Sequence, residues 1–109
     1  MTKEEFYWSK HIVAIEWWLH ECDLLDKLTW ARLRVFDDGT ADSCFDDGGK
    51  LYGFENRNSA GYILSEDEYI SFEGMDEEDE QEYGIKLAEI YTPVWLDNPD
   101  QLFEYLGSY

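Results

Sequence analysis

The sequence predicts an α+β domain: a long N-terminal helix packed on a three- to four-stranded antiparallel sheet, with one or two helices near the C-terminus. Three observations carry that expectation. A capping box formed by Thr2 and Glu5 opens an apolar run lasting to about residue 28. Alternation over Trp30 to Phe36 marks a strand. Two clusters, Asp37-Asp38-Gly39-Thr40 and Asp46-Asp47-Gly48-Gly49, then cut the following chain into hairpin-length pieces. A chain of 109 residues has room for one core, so 1–109 is read as a single acidic domain.

The first helix is read over residues 3–28. On a helical wheel Glu5, Ser9, Glu16, His20, Asp23 and Lys27 gather within about 60° as a polar stripe. Apolar residues from Phe6 to Leu28, with Trp17 and Trp18 among them, spread over most of the remaining arc. An arc that wide predicts a helix covered on more than one side. Next comes a meander of three strands. In Trp30–Phe36, Ala31, Leu33 and Val35 share one face and Arg32 and Arg34 the other. Ala41–Phe45 forms the second strand and Lys50–Glu55 the third, with Tyr52 and Phe54 on one face.

Asn56 or Asn58 is placed to cap a short helix through Ala60, Ile63 and Leu64, and Tyr69–Phe72 reads as a short edge strand. Asp76 caps a helix to about Tyr91. A strand over 85–91 competes, because Ile85 and Leu87 also alternate and Gly84 interrupts a helix. Pro93 ends that element. Asn98-Pro99 opens a last helix anchored by Leu102, Phe103 and Leu106.

Charge narrows the function. The chain carries 26 Asp and Glu against 8 Lys and Arg, a net charge of -18, where small domains usually hold about 2–8 in magnitude. Direct binding to nucleic acid or to an anionic membrane needs a cationic footprint, which this composition excludes. Disorder is excluded by the 44% hydrophobic and 17% aromatic content. Ten of the carboxylates lie between Glu66 and Glu82 with no Lys or Arg among them. Acids in a first helical turn gain about 0.3–1 kcal/mol each from the helix dipole, which accounts for Asp76, Glu77 and Glu78. It does not account for like-charged pairs such as Asp76/Glu80 and Glu78/Glu82, which each cost about a few tenths of a kcal/mol.

Two readings remain open, a solvated face or a site for a cationic partner. The candidate partner-binding residues are Glu73, Asp76, Glu77, Glu78, Asp79, Glu80 and Glu82, with Tyr69, Phe72 and Tyr83 as aromatic anchors.

Other chemistries find no pattern. Asp42, Asp46 and Asp47 superficially suggest a calcium loop. With Gly48 sixth, however, Phe45 falls third and Phe54 twelfth, where oxygen ligands are required, so hairpin turns explain these residues. His11 and His20 would lie on opposite sides of the first helix and share no ligand. No serine stands in a GxSxG context, and Gly48-Gly49 lacks the Lys-Ser/Thr and helix of a phosphate loop. No cofactor is called for. Cys22 and Cys44 form no CxxC pair and suit a reducing compartment. Neither a signal peptide nor a run of about 20 apolar residues is present, so a cytoplasmic protein is expected. Trp95 and Tyr109 are expected at the surface.

Stretches such as Trp30-Ala31-Arg32-Leu33-Arg34, Asp38-Gly39-Thr40-Ala41, Leu64-Ser65-Glu66-Asp67-Glu68-Tyr69 and Asp79-Glu80-Gln81-Glu82-Tyr83-Gly84-Ile85 resemble small acidic proteins of unknown function from cyanobacteria. The resemblance spans about residues 28–92 and implies a bacterial cytoplasmic origin but no activity and no site.

The function expected is a non-enzymatic acidic module that binds a basic protein surface. A sharper form is a nucleic-acid mimic or nuclease inhibitor. The alternatives are a small carboxylate-based hydrolase or divalent-metal protein, and an accessory subunit of a larger assembly.

Overall fold

The computed structural model describes residues 1–109 and keeps the α+β class, but overturns the expected architecture. Three helices are short: α1 (Lys3–Tyr7), α2 (Arg57–Glu66) and α3 (Glu77–Tyr83). Six strands, β1 (Ile12–His20), β2 (Trp30–Phe36), β3 (Ala41–Cys44), β4 (Leu51–Phe54), β5 (Tyr69–Ser71) and β6 (Phe103–Gly107), make one sheet in the order β5-β1-β2-β3-β4-β6. The sheet is mixed, because β4 and β6 run parallel while every other neighbouring pair is antiparallel.

There is no long N-terminal helix. The capping box is made, with Thr2 Oγ1 accepting from the Glu5 amide at 3.2 Å and Glu5 Oε1 from the Thr2 amide at 3.0 Å. The helix it starts lasts five residues, and Ser9 turns the chain through a φ of 55°. From Ile12 the run Ile-Val-Ala-Ile-Glu-Trp-Trp-Leu is rich in β-branched and aromatic side chains that suit a pleated surface better than a helix. The inner part of β1 is covered on both faces, so it shows no apolar/polar alternation. The wide apolar arc came from a strand covered on both faces at its inner end and apolar but exposed at its outer end.

The C-terminal helix is also corrected. Asn98 Oδ1 accepts from the Asp100 amide at 2.9 Å and Gln101 Oε1 from the Asn98 amide at 2.9 Å, which closes a turn before β6. Phe103 then lies over Gly53 so closely that a Cβ there would come within 2.8 Å of its ring. The helix capped by Asp76 stops at Tyr83 because Gly84, at φ 70°, takes the left-handed cap position and donates to the Glu80 carbonyl. Residues 85–91 are neither helix nor strand. They carry a single 3-10 turn, Leu87–Glu89.

One face of the sheet presents Trp18, Ala31, Leu33, Ala41 and Phe54 to Ala60 and Leu64 of α2. Asn56 caps α2 by accepting from the Ser59 amide at 2.8 Å. The other face is covered by α1, where Phe6 and Tyr7 pack against Phe36 and Phe103, and by the extended segment 93–101. No helix is long and apolar enough to cross a membrane.

Candidate functional site

The acidic candidates form a ridge on α3 and the chain leading into it, but they do not all stand free. Asp76 Oδ1 accepts from the amides of Glu78 (3.0 Å) and Asp79 (3.2 Å), and Asp79 Oδ2 returns the bond to the Asp76 amide at 2.9 Å. Glu80 Oε2 accepts from the Leu87 amide at 3.0 Å. These three carboxylates serve the backbone around α3. Glu73, Glu77, Glu78 and Glu82 are exposed, and no side chain or amide bonds their carboxylates.

The aromatic candidates separate. Tyr69 is a core residue, edge-on to Phe45 at 5.5 Å and to His20 at 5.0 Å, so it offers a partner nothing. Phe72 is half-buried against Trp30, with ring centroids 5.3 Å apart. Tyr83 lies at the end of α3 and donates its hydroxyl to Glu21 Oε1 at 2.8 Å, the acceptor that pushes its pKa up to about 12. That bond joins Glu21 to the ridge.

A second charged cluster was missed in the sequence. Asp42 is not a turn residue but a fully buried member of β3, directly opposite Arg34 of β2. Arg34 grips it with Nε at 3.0 Å and Nη2 at 2.5 Å, a bidentate pair. The Tyr7 hydroxyl donates to the same carboxylate at 2.6 Å. Asp97 reaches in from the extended segment, accepting from Arg34 Nη1 at 2.8 Å and Arg32 Nη2 at 3.3 Å.

Burial alone would lower the Arg34 pKa, but the two carboxylates hold it above the ordinary arginine value. Burial and the Asp42 charge push the Tyr7 hydroxyl well up, so it stays a donor. For Asp97 burial opposes ionisation, yet the guanidinium groups of Arg34 and Arg32 hold its carboxyl below the usual aspartate value.

Beside this cluster lies a cleft of about 560 Å³ with Lys3 and Lys10 on its rim. Lys3 Nζ is spent on the carbonyls of Pro99 (3.1 Å) and Gln101 (2.8 Å), and Lys10 Nζ on Thr40 Oγ1 (2.8 Å) and Asp38 (3.3 Å). The cluster therefore acts as a clasp, holding α1 and the extended segment onto the sheet. A signal for it was present: a hairpin turning at Asp38-Gly39 sets Arg34 across from Asp42.

His11 precedes β1 and His20 is its last residue, with Nδ1 atoms 3.2 Å from Asp37 and 3.6 Å from Asp23 respectively. No group of three or more His, Cys, Asp or Glu side chains converges on a point that would hold a metal ion. Trp95, expected outside, packs edge-on to Trp17 with centroids 5.0 Å apart, whereas Tyr109 is exposed and stacks on Tyr62. No family model, curated protein or solved structure matches the chain.

Proposed function

We propose that this protein is a non-enzymatic acidic interaction module of the reducing cytoplasm that binds a basic protein surface through the ridge at 73–82. The observation that supports this is how the chain uses its charges. Lys3, Lys10, Arg32, Arg34, Lys50 and Arg57, six of the eight cations, are bound to partners inside the molecule. The surplus carboxylates of the ridge face solvent uncompensated. Such a one-signed surface accelerates encounter with a cationic partner and rejects anionic ones. The free thiol of Cys22 suits the reducing compartment.

The test is capture of binding proteins from a cell lysate with a salt-gradient elution, repeated with Glu77, Glu78 and Glu82 changed to Lys. One basic protein leaving over a narrow salt range, and lost with the charge-reversed variant, is the expected result. If that protein binds nucleic acid, the ridge mimics phosphates. A smear released at low salt, unchanged by the variant, would sink the proposal, and a stoichiometric metal in the purified protein would favour the carboxylate-metal alternative.

A further inference from the structure

We infer that the partner engages the protein as an added strand: an extended, alternately basic and apolar segment pairing with the outer edge of β1 over Ile12–Glu16. This rests on the acidic-module reading and gives it a docking site. β1 is nine residues long, but β5 pairs only with Trp18, Leu19 and His20. The last bond on that side runs from the Phe72 amide to the Trp17 carbonyl at 2.9 Å. In an antiparallel ladder the outward-facing residues alternate, so Ile15 presents its N–H and C=O to the same side as Trp17. No strand lies there.

An open edge is a template for another strand, and proteins usually blunt it with charge, proline or a bulge. This one has a register irregularity between Ile12 and Ala14, but from Ala14 onward the ladder is regular and the stretch is apolar up to Glu16. Ile12, Val13 and Ile15 are 47%, 62% and 44% exposed, and Glu16 is the only carboxylate in the stretch. Its side chain is bound to Arg57 at 2.6 and 2.8 Å on the α2 face. The opposite face of β1 lines a groove of about 430 Å³ whose far wall carries Val94 and Leu96, 83% and 77% exposed.

Charge selects the occupant. A strand on Ile12–Glu16 would lie in line with β5, its end abutting Phe72 and the first unpaired carboxylate, Glu73. Backbone pairing and apolar residues in the groove would supply affinity, and cations at the strand's end would meet Glu73, from which the ridge runs on toward Glu21. A second copy, bringing its own net charge of -18, is the less favourable occupant.

The probe is a nine-residue peptide alternating lysine with valine, with two analogues N-methylated along one edge or the other. Hydrogen exchange of the Ile15 amide and peptide affinity are measured at low ionic strength. The expected result is at least about tenfold slower exchange at Ile15, at least tenfold weaker binding on methylating one edge and not the other, and further weakening by the Glu77, Glu78 and Glu82 to Lys variant.

Binding that the charge reversal weakens, with Ile15 exchange unchanged and both methylated analogues equivalent, overturns the added strand and leaves the acidic module standing. Edge-specific binding indifferent to charge reversal keeps the strand site and removes the ridge. No binding overturns the inference. So does self-association in sedimentation that Ile15→Pro disperses, since that makes a second copy the occupant. Proline removes an outward N–H only, a change edge strands tolerate.

Discussion

Asp42 and Glu78 are both carboxylates, and the molecule uses them in opposite ways. Asp42 is fully buried and holds Arg34 and Tyr7 at 2.5–3.0 Å, while the Glu78 carboxylate stands exposed on α3 with no partner. A buried charge is tolerable only when matched, and removing one member leaves the other stranded away from water. An exposed charge costs little to keep or lose, so its worth must be sought in what it does to other molecules. The difference separates stability, which resides in the clasp, from recognition, which we assign to the ridge.

The comparison breaks most visibly at the clasp. Asp42→Ala should cost about 3–5 kcal/mol, because Arg34 keeps only Asp97 and the Tyr7 hydroxyl loses its acceptor. A fall in the urea midpoint would show it, and a loss below about 1 kcal/mol would mean that water reaches Arg34. Asp97→Ala should cost less, about 1–2 kcal/mol, because its side chain is 56% exposed and its ion pairs are screened. Release of residues 93–97 should then appear as a change in Trp fluorescence, since Trp95 leaves Trp17.

Acid sharpens the same contrast. The Asp97 and Glu16 carboxyls are held below their ordinary values of 3.8 and 4.5, so between the folded and unfolded pKa values the unfolded chain binds more protons. Their stabilisation is full above that ordinary range and is lost as pH falls through the lowered values. Urea midpoints at pH 7 and pH 3 should differ less for Asp97→Asn than for the parent, and an equal drop would deny Asp97 this role. The smallest effect on stability belongs to the ridge: Glu77, Glu78 and Glu82 changed together to Lys should move unfolding by only about 0.5–1 kcal/mol, the helix-dipole contribution lost at Glu77 and Glu78 being partly offset by relieved repulsion, while removing partner binding. A large loss of stability there would mean the ridge is structural after all.

What was legible in the residues followed how local its cause was. The three strands from Trp30 to Phe54 stand close to where alternation and the Asp/Gly turns placed them, and Asn56 and Asp76 cap the helices they precede. Ile12–His20 misled because a strand covered on both faces at its inner end and left open and apolar at its outer end presents the same string of apolar residues as a helix buried around most of its circumference. β6 misled because Asn98-Pro99 is as good a turn as a helix start, and Phe103's partner, Gly53, lies far away in sequence. In the ridge the carboxylates were legible and the aromatics were not: Tyr69 is claimed by the core beside Phe45, a neighbour no short window contains.

The sequence by itself determined the features whose energetics close within a few residues. These are the Thr2–Glu5 box, the hairpin turns, the Asp76 cap with its stop at Gly84, and the acidity of the ridge. Tertiary structure decided that Ile12–His20 is a strand with an open half, that β6 joins β4 in parallel, and that Asp42 is buried while Asp46 and Asp47 stay exposed. Strand pairing and charge burial draw their free energy from groups brought together only by the fold, whereas a cap or a turn draws it from its own segment.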